Sequence, residues 1–428
     1  MEPQVTFEIW TDKPRPEPGT TLGKELSAAQ RGLKAAKQPF LRQRYAFAVL
    51  RSLFYRQDWP AAIAFFDQNT ALLSAPSEDL RWRARFYVAG ALRRTGQAGR
   101  ANLELARIHA GYTPLAGAAV FDFKPAEEAD WQASLQLTRD AKEKAALWSM
   151  IGIKHDPVVG AQQILKLDPK SKLIPLLLVR EMSRVESMVD RQFMAPPDKQ
   201  QVAAQNKAYA KLEQLATKLL ATPGAAKPYV YELMLGHIAG RRGDLAGTRA
   251  HAQKAVAMAP REARVASQAK ASVAIALVQA FQVNPQNEDE LATLMSQIDP
   301  EFARMRSVSN EVRTKLALAY ATANRMIDAE FLAQGISPAF DDGNFQVNSK
   351  IKTNWHSVPF LKEMIARTDQ RTTEFDRFVL ASSHVKEDLQ HELAVRHALD
   401  GDFTSAKLVF ETTKARSDLL RTDLHDHP

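Results

Sequence analysis

The stretch "HELAVRH", residues 391–397, places two histidines and a glutamate on one predicted helix, as zinc hydrolases do. In the helices of such enzymes the histidines stand four residues apart, because about 100° of rotation per residue then leaves both imidazoles on one face. Here Val395 occupies the fourth position, and His397 lies about 120° around the helix from His391. The spacing therefore argues against a zinc site.

The rest of the chain offers little other chemistry. It contains no cysteine, which excludes thiol catalysis, disulfides and cysteine-based zinc sites. No glycine-rich phosphate loop, dinucleotide fingerprint or nucleophile-elbow motif is present. Paired acids such as Glu127 and Glu128 lie at a predicted helix start, where the helix dipole accounts for them. We predict no catalytic residue, no metal ligand and no cofactor.

The bulk composition is that of a globular protein, with 45% hydrophobic and 25% charged residues among 428. A net charge of +8 favours acidic partners. No run approaches the roughly 20 apolar residues of a membrane span. The start, "MEPQVTFEIW", lacks an export-signal pattern. The compartment stays open between the bacterial cytoplasm and, if a leader was removed, the cell envelope; the oligomeric state is also open.

Helical periodicity runs through nearly the whole chain, apart from a strand-like "VTFEIW" at residues 5–10, and one turn recurs within it. Each instance has an apolar helix, a short polar turn, an apolar residue and then a small residue on a second helix. The turns align at Gln57, Gly96, Gly243, Asn324 and Gly401, with weaker matches at Ala129, His155 and Asn287. This period of about 34 to 44 residues predicts stacked pairs of helices.

These units resemble tetratricopeptide repeats, and the best of them is Tyr229–Pro260. It carries the matching Leu235, Gly236, Gly243, Ala252, Ala255 and Pro260. Its main departure is Thr248, which stands where the family has an alanine. The resemblance, shared with uncharacterised bacterial proteins of degenerate repeats, implies an all-α fold: an α-solenoid, or right-handed superhelix of helix–turn–helix repeats, irregular in places. In the last clear repeat it implies that His391 faces the inner groove and His397 the second helix.

Prolines and breaks in the periodicity suggest the segment limits. We predict an N-terminal extension (1–40), a first repeat array (41–194), a proline-containing linker (195–204), a central array (205–336), an irregular loop (337–359), C-terminal hairpins (360–416) and a polar tail (417–428).

The resemblance also implies where a partner would bind, on the first-helix positions that line the inner face of the first two clear repeats. These positions are Arg44, Phe47, Arg51, Phe54, Tyr55, Arg83, Phe86, Arg93 and Arg94. Arginine forks between aromatic rings suit an acidic protein or peptide. The plainer interpretation is that the arginines are solvated and the phenylalanines pack between repeats. The predicted function is a non-catalytic scaffold that binds a protein or peptide.

Two alternatives remain open. One is an enzyme or a carbohydrate-processing accessory protein, with a site in the 337–359 loop, which contains Trp355 and His356, or at the junction near Pro196. The other is a nucleic-acid-binding helical repeat, in which bases stack on the aromatic rings beside a basic track. The moderate net charge and the lack of a known nucleic-acid module disfavour that second alternative.

Overall fold

The computed structural model describes residues 20–125, 128–190, 199–301, 308–335, 356–380 and 386–413. Within these ranges the chain forms helices and turns and no strand, which confirms the all-α prediction. The strand-like "VTFEIW" lies outside them. None of the described helices combines the length and the apolar character needed to cross a lipid bilayer.

The chain divides into two compact units, Met1–Glu181 and Met182–Pro428, and the division falls within helix α11. The first unit contains α1 (Thr20–Ala35), α2 (Pro39–Tyr55), α3 (Trp59–Gln68), α4 (Thr70–Ser74), α5 (Glu78–Arg94), α6 (Ala98–Gly111), α7 (Thr113–Asp122), α8 (Glu128–Gln136), α9 (Ala141–Lys154), α10 (Pro157–Leu167) and the start of α11 (Leu173–Asp190).

The second unit contains the end of α11 and α12 (Lys199–Leu220), α13 (Pro228–Arg241), α14 (Leu245–Met258), α15 (Ala263–Gln279), α16 (Pro285–Ser296), α17 (Val308–Thr322), α18 (Met326–Gln334), α19 (Val358–Thr368), α20 (Glu374–Leu380), α21 (Lys386–Leu399) and α22 (Phe403–Thr412).

The five clear turns predicted from sequence share one backbone conformation. The φ angle is 63° at Gln57, 77° at Gly96, 79° at Gly243, 61° at Asn324 and 83° at Gly401. At each turn the following N–H donates to the carbonyl oxygen five residues earlier, at 2.8 to 3.1 Å. This bond and the left-handed residue close the first helix of the pair. Each of the five predicted turns therefore joins two consecutive helices.

The three weaker turn matches are different. Ala129 and Asn287 lie inside α8 and α16, so their assignment to turns was wrong. At Asn287 the polar residues mark a helix start, since the Asn284 side chain accepts a hydrogen bond from the Asn287 N–H at 3.0 Å. His155 does end α9, but with a φ of −124° and therefore without the left-handed turn.

A buried small residue follows each clear turn, where the second helix crosses the first. These residues are Ala62, Ala101, Thr248, Ala329 and Ala406. The Thr248 hydroxyl lies 2.8 Å from the carbonyl oxygen of Asp244 and 3.1 Å from that of Gly236. A Cβ added to Gly236 would lie 3.1 Å from the Cβ of His251. The glycine therefore permits the close crossing, and hydrogen bonding accommodates the threonine.

The observed helices extend into two of the segments that the sequence predicts to be irregular. The predicted linker 195–204 is helical from Lys199 onward, because a proline restricts itself and the residue before it but not the residues that follow. The predicted loop 337–359 ends two residues early, because α19 begins at Val358. Residues 195–198, 337–355 and the tail 417–428 lie outside the described ranges.

Candidate binding surface on helices α2 and α5

One face of α2 alternates arginine and aromatic side chains. Arg44, Phe47, Arg51 and Tyr55 follow one another at intervals of three or four residues, which keeps them on one side of the helix. Arg44 and Arg51 are exposed, while Phe47 and Tyr55 are half-buried. The other side of α2 is buried in the core of the first unit through Ala46, Leu50 and Phe54, among others.

A buried glutamine sets α2 against the start of α5. The Gln43 amide nitrogen donates to the carbonyl oxygens of Leu73 and Ser77, at 3.0 and 2.9 Å. Its amide oxygen accepts from the Ser77 N–H at 2.7 Å. Ser77 also caps α5, since its hydroxyl accepts from the Leu80 N–H. These bonds fix the register between the two helices and therefore the side chains that meet across them.

Tyr87 of α5, which the sequence analysis missed, is the residue that joins the two helices at this face. Its hydroxyl lies 3.1 Å from that of Tyr55. Its ring meets those of Phe54 and Phe47 edge-on, with centroids 5.0 and 5.7 Å apart. The Arg51 guanidinium lies over the Tyr55 ring, 5.4 Å from its centroid. Arginine and two hydroxyls thus share one partly exposed site.

The Tyr87 hydroxyl keeps its proton at any physiological pH. Burial raises the pKa of Tyr87 above its ordinary value, and the hydrogen bond with Tyr55 raises it further. Arg51 and Arg83 act in the opposite direction but do not outweigh burial. A ligand at this site would therefore meet a neutral Tyr87 hydroxyl that donates or accepts a hydrogen bond, beside positive guanidinium groups.

Arg83 adds a third arginine, but an acid of the same helix already holds it. Its Nε donates to both carboxylate oxygens of Asp79, at 2.8 and 3.0 Å. The Tyr112 hydroxyl donates to the same carboxylate at 2.8 Å. Arg44 and Arg51 therefore supply the freer charge. We define the arginine–aromatic surface as Arg44, Phe47, Arg51, Tyr55, Arg83 and Tyr87.

Four of the predicted binding residues do not belong to this surface. Phe54 and Phe86 are buried, 3% and 6% exposed, and pack between helices as the plainer interpretation had it. Arg93 donates to the buried Asn102 at 3.1 Å, and burial lowers its pKa although Asp122 and Asp130 oppose the shift. Arg94 is exposed in the last turn of α5.

A second group of charges in the first unit is structural. Glu104 on α6 is buried between Arg85 and Arg107, and Arg107 also contacts Glu143 on α9 at 2.8 Å. Burial by itself would raise the pKa of Glu143, but bonds from Arg139 and Arg107 outweigh it and lower the pKa to about 2. A carboxylate ionised at every physiological pH, and saturated by arginines, serves to join helices.

The 337–359 loop, the alternative site, contributes one described side chain of interest. His356 contacts Glu392 at 2.9 Å and Glu330 at 3.3 Å, and its ring stacks on Phe360. Hydrogen bonding to Glu330 and Glu392 raises its pKa to about 9. The imidazole is thus protonated at neutral pH, which suits neither a general base nor a metal ligand. Trp355 and Pro196 lie outside the described residues.

Structure also places the histidines of the opening motif. His391 is exposed and its ring meets Phe410 edge-on, with centroids 5.2 Å apart. His397 is buried and contacts the carboxylate of Asp402, which caps α22, at 3.2 Å. His397 therefore points toward the second helix, as the resemblance implied. Among the described residues, no group of histidine and acidic side chains is arranged to hold a metal ion.

No protein-family model matches the chain, and no curated protein matches it.

Proposed function

We propose that this protein is a non-catalytic scaffold, which binds an acidic protein or peptide segment on the arginine–aromatic surface. The observation that carries the proposal is the pairing of exposed Arg44 and Arg51 with the Tyr55–Tyr87 hydroxyl pair on two packed helices. Guanidinium forks bind carboxylates through two parallel hydrogen bonds. Aromatic rings beside them supply flat apolar area, the combination that dominates protein interfaces.

The spacing of the two arginines narrows the ligand. Arg44 and Arg51 lie seven residues apart on α2, or about 10 Å along the helix axis. A polyproline II segment rises about 9 Å in three residues and returns the same face after each turn. Glutamates at positions i and i+3 of such a segment would each meet one arginine. An extended acidic segment with this spacing is therefore the proposed ligand class.

The proposal includes an architecture, a solenoid of tetratricopeptide-like hairpins. Its support is the equivalence of the five left-handed turns and of the buried small residue that follows each one. Helical hairpins of this kind cannot bury their apolar faces alone and gain stability by stacking on neighbours. A face built from successive first helices then becomes available to an extended ligand.

The test is a titration of the full chain into a fluorescent peptide of repeated Glu-Pro-Pro units, with a Lys-Pro-Pro peptide as the ligand control. We expect binding of the acidic peptide only. Arg44→Ala and Arg51→Ala should each weaken it about tenfold, as expected for a charge-assisted hydrogen bond. Tyr87→Phe should weaken it less, since it removes one neutral hydroxyl.

The Arg44→Ala/Arg51→Ala double variant has a matched control in Arg42→Ala/Arg56→Ala, which removes the same charge from exposed positions near the two ends of α2, outside the arginine–aromatic surface. The control should retain most of the affinity. Equal losses in the Arg44/Arg51 and Arg42/Arg56 pairs would show general charge attraction and overturn the proposed site. Stronger binding of single-stranded DNA than of the acidic peptide would favour the nucleic-acid alternative instead.

A further inference from the structure

The region around the start of α2 is unusually one-sided in charge. Between Glu25 and Asp58 the chain contains no acidic residue. The same stretch carries seven basic residues: Arg31, Lys34, Lys37, Arg42, Arg44, Arg51 and Arg56. All seven are exposed. Elsewhere on this unit, by contrast, arginines such as Arg81, Arg83 and Arg100 contact acids.

Two large apolar side chains are exposed at the centre of this basic region. Phe40 and Leu41, in the first turn of α2, are 46% and 38% exposed. Arg31 and Lys34 on α1, Lys37 in the connection and Arg42 on α2 are close to them in the chain, around the corner between the two helices. We define the basic corner as Arg31, Lys34, Lys37, Phe40, Leu41 and Arg42.

The two helices of the corner pack against each other. The Tyr45 ring lies against α1 in the space that a side chain at Gly32 would occupy. The Arg42 N–H donates to the Gln38 carbonyl oxygen at 3.0 Å, which extends the hydrogen bonding of α2 into the connection. Phe40 and Leu41 are therefore presented outward by a packed pair of helices.

The chemistry of this corner discriminates between classes of anionic partner. A nucleic acid would neutralise the charges but has no general use for an exposed leucine, since its bases stack on aromatic rings. An anionic lipid surface fits both features. Its headgroups attract lysine and arginine, and its interfacial zone accepts phenylalanine and leucine without any shaped pocket.

We propose that the basic corner docks this protein on the surface of an anionic lipid bilayer. Phe40 and Leu41 enter the interfacial zone, and Arg31, Lys34, Lys37 and Arg42 lie against the headgroup phosphates. This docking is peripheral, and it leaves the arginine–aromatic surface to bind its own ligand.

The test is co-sedimentation of the full chain with vesicles of phosphatidylglycerol and phosphatidylcholine in equal parts, compared with vesicles of phosphatidylcholine alone. We expect binding to the anionic vesicles only, weakening as salt is added. Phe40→Ser/Leu41→Ser and Lys34→Glu/Lys37→Glu should each reduce it at least about tenfold, through lost insertion and lost charge attraction respectively.

Matched controls make equivalent changes outside the corner. Phe403→Ser/Leu408→Ser removes two exposed apolar side chains, and Lys315→Glu/Lys362→Glu reverses two exposed charges. Both should bind anionic vesicles like the parent. Circular dichroism verifies that each variant is folded.

The proposal is overturned if the parent binds neither vesicle or both equally, or if the controls lose as much binding as the corner variants. A parent that binds the Glu-Pro-Pro peptide but no vesicle retains the proposed function and loses the docking. The Phe40→Ser/Leu41→Ser variant should still bind that peptide, so the two proposals fail separately.

Discussion

Two hairpins of the second unit carry the same turn but differ in what covers them. The sequences of α13–α14 and α21–α22 can be aligned at the turn residues Gly243 and Gly401. In this alignment Leu233, Leu245 and Ala252 correspond to His391, Phe403 and Phe410. The first three pack with Ala269 and Val273 of α15. Phe403 and Phe410 are 71% and 43% exposed, and no described helix follows α22.

In the other three hairpins the equivalent residue is buried, as it is in α13–α14. Phe66, Leu105 and Ala333 occupy the position of Phe410 after the turns at Gln57, Gly96 and Asn324, and all three are buried. The turn and the small residue that follows it therefore form a hairpin wherever they occur. Burial of the hairpin's outer face depends on the next helix, which is a separate condition.

The largest expected effect comes from placing a charge at the equivalent position of each hairpin. Ala252→Glu buries a carboxylate under α15 and should lower the free energy of unfolding by about 3 kcal/mol or more. Phe410→Glu, on the open face, should lower it by less than about 1 kcal/mol. Urea denaturation followed by circular dichroism measures both. Equal losses would show that the face of α21–α22 is covered in solution.

The open hairpin should also respond to pH, because His356 holds α21 through Glu392 and reaches Glu330 on α18. Its pKa of about 9 in the folded protein exceeds the ordinary value of 6.5. The stabilisation that protonated His356 gives to α21 is therefore complete below pH 6.5 and is lost as the pH rises toward 9. At its fullest it amounts to between about 1 and 3 kcal/mol, since Glu392 is partly solvated.

Hydrogen exchange of α21 amides, corrected for intrinsic exchange, should report this loss between pH 6.5 and 9. In His356→Gln that pH dependence should disappear. The α13–α14 hairpin has no such contact with His356, so its amides should show no such pH dependence in either protein. An unchanged pH profile in His356→Gln would remove the histidine as its cause.

A change at the turn should affect both hairpins alike. Gly243 and Gly401 have φ angles of 79° and 83°, and no atom lies within 4 Å of a Cβ added to either. Alanine would therefore meet only the backbone strain of the left-handed region. Each substitution should cost about 1 kcal/mol. A much larger cost at Gly243 in thermal denaturation would mean that the turn contributes to contacts with α15 as well.

The smallest change in stability is expected when glycine is introduced at the two turns that lack it. Gln57 and Asn324 adopt φ angles of 63° and 61° with a side chain present. Gln57→Gly should stabilise its hairpin by about 0.5 to 1 kcal/mol, and Asn324→Gly by less, since asparagine tolerates this conformation better. A fall in the melting temperature of Gln57→Gly would show that its side chain makes a contact of greater value.

The sequence analysis and the structure differ in the side chain of α5 that meets α2. The former assigned Phe86 to the inner face, whereas Tyr87, one residue on, meets α2. One residue rotates a helical side chain by about 100°, so a single shift in register exchanges core and surface. The polar link that sets the register, from Gln43 to Ser77, connects residues 34 apart, and no local pattern reveals it.

What the sequence by itself determined is local. Helical periodicity and the residues at the five turns predict the helices, the left-handed closures and the buried small residues, because these depend on backbone preferences and near neighbours. Only the tertiary structure decided which hairpin faces are covered, which arginines are held by acids and that Glu392 of the zinc-like motif binds His356. Those outcomes depend on side chains distant in sequence, whose approach is set by the packing of whole helices.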